Sequence, residues 1–453
     1  MRIKLTNRYP LDEILFAIGG KSNERDNRVI EYVSTDTRDI SAGDLFFPLG
    51  GKNFDGEDFV EEAKRKGAIA LSKNDGNHPR IDSGLNALLR FAVYHLSKCN
   101  SLRYRIAITG SVGKTSVKEF AKFILSSSIK THATNQNYNN ILGLCHTLLT
   151  TPIDSESLVV EMGMNALGEI SQMSKILSPN IGVITNIGSS HIGMLGSREK
   201  IALAKSEICD GITNGVVVCP QNETLLTGIK NRQTLSGLDN GADFYFEENL
   251  DSITLSSPMG IIKDLYIPSS LFHIKESAYY SIAIGCLCSL EASIIRKAVS
   301  KLSPVCSRGN FVCYGGFKFY DDSYNSSVES VLSDLKMLFY RCGTKVSALL
   351  GDILELGEHS EEIHRGLGMS IAKFNPCHLF LFGSFAYAVA EGAVSMGYDK
   401  EKIFINPDIN NPQRSALDIY YNCQKDETIL MKASHSVNIK RVSHLLEEMK
   451  NHD

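Results

Sequence analysis

Short apolar runs alternate with amphipathic stretches along most of this chain, and the alternation predicts an α/β protein. In the central part, runs of consecutive apolar residues are separated by stretches in which apolar positions recur with the period of a helix. Parallel strands that are buried on both faces and covered by helices produce this pattern. The strands predicted there are 105–109, 158–162, 181–187 and 215–220, and the helices between them include 168–177 and 198–211.

The same alternation returns in the last third of the chain, with predicted strands at 346–352, 378–384, 402–406 and 428–434. The first hundred residues mix short strand-like runs, DLFFPL and AIALS, with glycine-rich turns, and they end in a helix predicted at 85–97. The apolar stretch 278–290 is too short to span a bilayer and predicts a buried helix. We therefore expect three α/β domains in series, at 1–100, 101–305 and 306–453.

The composition is that of a globular protein with more than one core. A chain of 453 residues, with 43% hydrophobic and 22% charged residues, is too long for one ordinary domain and too apolar for disorder. The net charge of −4 gives no basic face, so nucleic acid is not expected as a partner. Eleven scattered cysteines without a disulfide framework, and the lack of an apolar signal segment, predict a cytoplasmic protein with no membrane span.

The strongest local motif is TGSVGKTS at 109–116, between a predicted strand and a predicted helix. Glycines let backbone N–H groups turn towards phosphate oxygens, and the start of the helix adds its positive end. Lys114 is placed to reach the β- and γ-phosphates, and Thr115 to offer its hydroxyl to a magnesium ion. Ile108 stands where the longer phosphate-loop pattern has its first glycine, so a turn that binds nothing is the alternative. The candidate phosphate-binding residues are Gly110, Ser111, Gly113, Lys114, Thr115 and Ser116.

Three further polar residues follow predicted strands or interrupt an apolar helix. Glu161 lies at the carboxyl end of the strand at 158–162, where a parallel sheet places a magnesium ligand. His191 follows the strand at 181–187, although a histidine in a loop is more often a plain surface residue. Lys205 lies on a mostly apolar helical pattern, which is also typical of a surface lysine whose stem covers apolar neighbours.

Several longer segments occur in an order that resembles the Mur ligases of peptidoglycan synthesis. They are STDTRDISAGDLFFPLGGKNFDGEDF, TGSVGKTS, NQNYNNILG, EMGMNALGEIS, TNIGSSHIGMLGS, AKSEI, DDSYN and GDILELGEHSEEIH, and they extend through nearly the whole chain. The resemblance implies a UDP-sugar-binding domain at 1–100 and a central ATP-binding domain at 101–305, with a parallel sheet of the P-loop ATPase type. It also implies a Rossmann-like ligase domain at 306–453.

The reaction that this resemblance implies is the ATP-dependent joining of D-alanyl-D-alanine to UDP-N-acetylmuramoyl-tripeptide. ATP and Mg²⁺ would be required, and the peptide carboxylate would become an acyl phosphate before the incoming amine attacks it. Such chemistry depends on positioning and charge neutralisation. The sequence offers no convincing covalent nucleophile and no identifiable general base for the amine; His191 and Glu207 are weak candidates. A monomer is expected.

The family's residue roles carry over where the motifs match. Lys114 would hold the γ-phosphate, Thr115 and Glu161 one magnesium ion, and His191 a second metal ion. Lys205 matches the lysine that the family carbamylates, a modification that needs a neutral amine and hence a lowered pKa. Lys114, His191 and Lys205 are the implied catalytic residues. The implied ATP contacts from the last domain are Arg308, Asp322, Tyr324 and Asn325, and the implied substrate contacts are Thr35, Asp36, Thr37, Arg38, Asn137, Asn139 and Asn140.

The chain also departs from the family pattern. Where the family usually has Gly, Pro, Asn and Arg, this sequence has Gln136, Cys145, Ser277 and His435, and Ser-Ser-Val at 326–328 replaces Ala-Asn-Pro. These departures leave open a divergent ligase that adds a single amino acid or acts on another UDP-linked substrate. A D-N-P-R-like element, which marks diaminopimelate-adding relatives, is missing after the strand at 402–406, where PDINNP follows. A non-catalytic nucleotide-binding module that regulates a partner is the alternative of another class.

Overall fold

The computed structural model describes residues 1–21, 26–51, 54–74, 79–249, 252–304 and 309–450. The strands in these ranges form three sheets of four, nine and six strands, and each sheet lies within one of the three predicted domains. Helices cover the sheets, so the predicted α/β class is confirmed. The exact domain boundaries stay a prediction, and Arg308 lies outside the described residues.

The first sheet combines one antiparallel strand pair with two parallel pairs, in the order β1-β2-β3-β4. The runs DLFFPL and AIALS contain β3 and β4, as predicted. The elements are β1 (Arg2–Pro10), α1 (Leu11–Ile18), β2 (Val29–Ser34), β3 (Leu45–Phe46), α2 (Val60–Arg65), β4 (Ile69–Ala70) and α3 (Gly84–Lys98).

The central sheet has the order β13-β12-β11-β10-β9-β8-β5-β7-β6 and is parallel from β6 to β11. Its strands are β5 (Tyr104–Thr109), β6 (Thr131–Ala133), β7 (Ser157–Glu161), β8 (Ile181–Ile184), β9 (Val216–Pro220), β10 (Arg232–Ser236), β11 (Phe244–Glu248), β12 (Ile253–Ser257) and β13 (Gly260–Leu265). Its helices are α4 (Lys114–Ser126), α5 (Ile141–Leu149), α6 (Glu169–Leu177), α7 (Ile192–Leu195), α8 (Arg198–Ser206), α9 (Lys275–Leu287) and α10 (Ala292–Val299).

Both faces of the central sheet are buried, which explains the unbroken apolar runs in its strands. Ile106 and Ile108 of β5 pack in the cluster that contains α4 and α9, whereas Ala107 packs in the cluster that contains α5. Helix α9 confirms the buried helix predicted at 278–290. The helix predicted at 198–211 ends earlier, at Ser206, and continues as a 3₁₀ turn.

The last sheet has the order β14-β15-β19-β16-β17-β18, with only the β14–β15 pair antiparallel among the described strands. Its strands are β14 (Asn310–Tyr314), β15 (Phe317–Asp321), β16 (Val346–Gly351), β17 (Leu379–Phe382), β18 (Ile403–Asn406) and β19 (Thr428–Lys432). Its helices are α11 (Val328–Cys342), α12 (Ser360–Ala372), α13 (Ala386–Ser395), α14 (Pro412–Asn422) and α15 (Lys440–Lys450). All four strands predicted here are present.

The first domain shares an apolar core with the central domain. Helix α3 packs against α5, and one cluster of buried side chains contains residues of both. Buried His95 of α3 joins the domains, because its ring contacts the Tyr9 hydroxyl and the Thr151 carbonyl, each at 2.8 Å. Within the described residues, no helix has the length and apolar character needed to cross a bilayer.

Candidate active site

A cleft of about 1610 Å³ lies where the carboxyl ends of the central and C-terminal strands face each other. Parallel sheets place ligand sites at this end. The predicted site residues that line the cleft are Ser111, Gly113, Lys114, Thr115, Ser116, Asn137, Asn139, Glu161, His191, Asp322, Tyr324 and Asn325. The cleft thus brings together residues that are far apart in the sequence. Gly110, Asn140, Lys205 and the segment 35–38 do not line it.

The phosphate loop turns tightly from β5 into α4. Gly110 and Gly113 have φ angles of +146° and +86°, which favour glycine. A Cβ atom on Gly110 would lie 1.9 Å from Thr185 Oγ1, so this position also lacks space for a side chain. Lys114 Nζ donates to the carbonyl oxygens of Gly110 at 2.7 Å and Ser111 at 3.3 Å. The ammonium group therefore lies over the loop at the positive end of α4.

Two residues that the sequence did not single out fix this loop. Asn186 Oδ1 accepts hydrogen bonds from the backbone N–H groups of Ser111 at 3.1 Å and Val112 at 2.9 Å. The Val112 carbonyl accepts from Asn186 Nδ2 at 3.1 Å and from Thr185 Oγ1 at 2.5 Å. Both residues fall in the predicted strand 181–187, but β8 ends at Ile184 and they form the turn beyond it. Their only signal in the sequence was two polar residues at the end of an apolar run.

Glu161 and Thr115 place two oxygen atoms next to each other in the cleft. Glu161 is 2% exposed, and its Oε2 accepts a hydrogen bond from Thr115 Oγ1 at 2.8 Å. Adjacent ligands of an octahedral magnesium ion are about 3 Å apart, given metal–oxygen distances of about 2.1 Å. These two oxygens therefore fit one Mg²⁺ ion. Since no cluster of three or more His, Cys, Asp or Glu ligands occurs in the described residues, water and phosphate oxygens would complete the shell.

A buried lysine, also missed from the sequence, approaches the same carboxylate. Lys118 of α4 is completely buried, and its Nζ lies 3.9 Å from Glu161 Oε2. It donates to the Gln136 carbonyl at 2.7 Å. Asn139 Nδ2 donates to the other carboxylate oxygen, Glu161 Oε1, at 3.0 Å. Glu161 is thus in contact with both the phosphate-loop helix and the segment 136–139.

His191 faces the C-terminal domain. Its Nδ1 lies 2.8 Å from Glu355 Oε2, and both residues have left-handed backbones, with φ angles of 68° and 67°. Contact with the His191 ring, and then the positive charge of Lys114, lower the pKa of Glu355 despite its partial burial. The Glu355 carbonyl also accepts from Gly193 N at 3.1 Å. His191 therefore lies at the interface of the two domains that form the cleft.

Lys205 lies below the cleft surface. It is 2% exposed, and burial, followed by the nearby positive charge of Lys114, lowers its pKa well below the usual lysine value. Its ammonium group makes no hydrogen bond or ion pair with any residue of the described ranges. Burial therefore favours the neutral amine more strongly here than at an exposed lysine.

The C-terminal wall of the cleft contains a buried lysine between two carboxylates. Lys432 forms ion pairs with Asp322 and, at 3.0 Å, with Asp334. Burial raises the pKa of Asp334 well above the usual carboxyl value. The ring of Tyr324 lies 5.6 Å from that of His435, which replaces the family arginine. Asp322 and Tyr324 both line the cleft, and their contacts with ATP stay a prediction.

The remaining predicted substrate residues lie elsewhere. Arg38 binds Asp36 through its Nε and Nη2 atoms at 2.9 and 2.7 Å, and this pairing lowers the pKa of Asp36. Asn140 caps α5, because its Oδ1 accepts from Gly143 N at 2.9 Å. Thr35 donates its backbone N–H to the Met1 carbonyl at 2.9 Å, and Thr37 is buried. Their substrate roles stay predictions.

Fold and cleft together define a three-domain nucleotide-binding protein with a phosphate loop. Residues 108–264 match the Mur ligase middle domain, and residues 29–95 match the catalytic domain of the Mur ligase family. Over 428 residues the chain is 32% identical to UDP-N-acetylmuramoyl-tripeptide--D-alanyl-D-alanine ligase of Bacillus subtilis, covering 91% of this chain and 92% of that protein. The chain therefore belongs to the Mur ligase family, as the sequence resemblance predicted.

Two solved structures show how far the fold agrees. MurF from Acinetobacter baumannii superposes with a TM-score of 0.86 at 27% identity, over 98% of this chain and 100% of that one. MurF from Thermotoga maritima, solved in complex with ADP, has a TM-score of 0.77 at 26% identity, over 93% of this chain and 98% of that one. The three-domain architecture is therefore common to all three proteins.

Proposed function

We propose that this protein is the ATP-dependent ligase that joins D-alanyl-D-alanine to UDP-N-acetylmuramoyl-tripeptide. The observation that carries the proposal is the placement of Lys114 and the Thr115–Glu161 oxygen pair in one cleft with Asp322 and Tyr324 of the C-terminal domain. A nucleotide that spans this cleft has its triphosphate at the phosphate loop and its ribose at the other wall. The two substrates are proposed from the names of the relatives, which are UDP-N-acetylmuramoyl-tripeptide--D-alanyl-D-alanine ligases.

The reaction proceeds in two steps. The carboxylate of the tripeptide attacks the γ-phosphorus of ATP, the bond to the β-phosphate oxygen breaks, and ADP leaves. The amine of D-alanyl-D-alanine then attacks the acyl carbon, the amide forms, and inorganic phosphate and one proton are released. Lys114 and the first amides of α4 bind the charge on the transferred phosphoryl group. Thr115 and Glu161 would hold Mg²⁺, which neutralises phosphate charge when bound.

Lys205 is proposed as the site of a carbamate. Its neutral amine would attack carbon dioxide, form an N–C bond and lose one proton, which turns a neutral buried amine into an anion. Two observations support the modification: the side chain is 2% exposed, and its pKa is lowered by burial and by Lys114. A carbamate would pair with the positive charge of Lys114 and with a metal ion at His191.

The first domain is proposed to bind the uridine nucleotide through Thr35, Asp36, Thr37 and Arg38, and Arg308 is proposed to contact ATP. Asn137 and Asn139 are proposed to contact the peptide end of the substrate, since both line the cleft next to Glu161. Asn140 is retained as a candidate from the sequence alone. Monomeric state and location in the cytoplasm stay predictions.

The test is release of phosphate from ATP with UDP-N-acetylmuramoyl-tripeptide and either D-alanyl-D-alanine or single amino acids, with the product mass measured. We expect turnover with the dipeptide, and loss of at least about 1,000-fold in Lys114→Ala, since one such contact contributes about 4 kcal/mol to phosphoryl transfer. Lys122→Ala, which removes an exposed lysine from the same helix, is the matched control and retains activity. Turnover with a single amino acid but not with D-alanyl-D-alanine would show that the amine substrate is that amino acid and not the dipeptide. Near-normal turnover in Lys114→Ala would refute the phosphate-loop assignment.

A further inference from the structure

Lys118 presents an energetic problem that the reaction described above does not explain. The side chain is 0% exposed, and burying an ammonium group carries a large desolvation cost even where a carboxylate lies nearby. An apolar side chain could fill this place on α4 without that cost. The chain instead keeps a cation, one helical turn after Lys114. Lys118 does not line the cleft, so it does not touch a ligand there.

The ammonium group of Lys118 contacts one backbone carbonyl and two carboxylates. Its Nζ donates to the Gln136 carbonyl at 2.7 Å, lies 2.9 Å from Glu119 Oε1 and lies 3.9 Å from Glu161 Oε2. Glu119 is partly exposed, whereas Glu161 is 2% exposed. Lys118 thus provides positive charge beside the buried carboxylate of the magnesium pair and binds the backbone of a cleft segment at the same time.

The segment 136–139 contacts the Glu161 carboxylate directly at one end and is linked to it through Lys118 at the other. At one end Gln136, which has a left-handed φ of 47°, is held by Lys118; at the other end Asn139 donates to Glu161 Oε1 at 3.0 Å. A left-handed backbone at a residue other than glycine is unfavourable and persists only where contacts impose it. The hydrogen bond from Lys118 is such a contact. Between these attachments, Asn137 faces the cleft.

We propose that Lys118 is a positioning residue that sets the segment 136–139 relative to Glu161 and thereby places the peptide end of the substrate in line with the γ-phosphate. The proposal rests on the function proposed above and deepens it, because it assigns the alignment of the peptide-bearing nucleotide to a residue outside the cleft. Loss of the Lys118 charge then disturbs the segment 136–139 and the magnesium carboxylate together. Binding of ATP through the phosphate loop is affected less.

The experiment compares Lys118→Met, Lys118→Arg and the matched control Lys122→Met, an exposed lysine four residues further along α4. Steady-state phosphate release gives the KM for UDP-N-acetylmuramoyl-tripeptide, the KM for ATP and the Mg²⁺ concentration for half-maximal rate. For Lys118→Met we expect a rise of about tenfold in the peptide-nucleotide KM and in the Mg²⁺ requirement, with the ATP KM changed less than threefold. Such a tenfold change is what loss of one charge-assisted hydrogen bond produces. In Lys118→Arg, the peptide-nucleotide KM and the Mg²⁺ requirement return most of the way to wild type. Lys122→Met leaves both unchanged.

Equal changes in the two KM values, no recovery in Lys118→Arg, or a peptide-nucleotide KM within twofold of wild type in Lys118→Met would each overturn the proposal. If Lys118→Met does not fold, Lys118→Gln, which keeps a donor without the charge, is measured against the same limits. Calorimetric titration with the peptide nucleotide alone separates this proposal from the proposed reaction. Weaker binding to the Lys118 variants supports the positioning role even if wild type shows no turnover with D-alanyl-D-alanine, an outcome that refutes only the reaction.

Discussion

Asn186 gives the sharpest test of how the phosphate loop is shaped. Its side chain makes three hydrogen bonds with the loop, two accepted from the N–H groups of Ser111 and Val112 and one donated to the Val112 carbonyl. Asn186→Ala removes all three. At about 1 kcal/mol for each bond, less what water recovers at the cleft surface, the loop loses about 2–3 kcal/mol of stabilisation. If this loss is expressed fully in the transition state, kcat/KM for ATP falls about 30- to 150-fold.

The assay is phosphate release at saturating peptide nucleotide and D-alanyl-D-alanine, with thermal unfolding measured alongside. Asn86→Ala, at an exposed position of α3, serves as the control for the same substitution. Asn186→Asp keeps an acceptor for the two N–H groups but places a negative charge near the phosphates. We therefore expect its kcat/KM for ATP to be no higher than that of Asn186→Ala. A kcat/KM for ATP within threefold of wild type in a folded Asn186→Ala protein would show that the loop does not depend on this side chain.

Two further outcomes concern basic side chains whose pKa values are lowered. Lys205 is expected to take up carbon dioxide: with ¹³C-labelled bicarbonate, a carbamate signal in the ¹³C NMR spectrum should appear in wild type and be absent from Lys205→Ala, and its absence from wild type would exclude the modification. His132 is expected to make stability depend on pH, because burial, and then the charge of Lys122, lower its pKa to about 4. The unfolded chain then binds this proton first, so stability is lost as pH falls from about 6.5 to about 4, by up to about 3 kcal/mol. His132→Gln should flatten the denaturant-derived stability curve in this window, and an unchanged slope would contradict the assignment.

The sequence predicted the parts of the fold whose pattern is local. Strands such as β5, β7 and β16 are buried on both faces, so they appear as apolar runs. Strands β10 to β13 were not predicted, because they mix buried residues with partly or fully exposed ones and no α-helices in the described residues separate them, as in the sequence ITLSS of β12. Strand β6 was also missed, since three residues carry too little pattern.

In the candidate site, too, the sequence predicted the residues in local motifs and missed those defined by long-range contacts. Lys114, Thr115 and Glu161 belong to local motifs at strand ends and line the cleft, while their roles stay predictions. Lys118 and Glu355, in contrast, owe their importance to partners 43 and 164 positions away in the chain, Glu161 and His191. A linear pattern cannot express such contacts. The same limit applies to Asn140, whose residue type suits both a helix cap and a ligand contact.

The apolar seam between α3 and α5 has a consequence for how the cleft can open. Because the first two domains share one core, separating them would expose apolar surface, and they are expected to behave as one rigid half. Many contacts between the central and C-terminal domains are polar. Glu329 accepts hydrogen bonds from the backbone N–H and hydroxyl of Ser189, and Glu355 lies against His191. Water can replace such contacts at little cost. We therefore expect nucleotide entry and exit to depend on movement of the C-terminal domain relative to the other two.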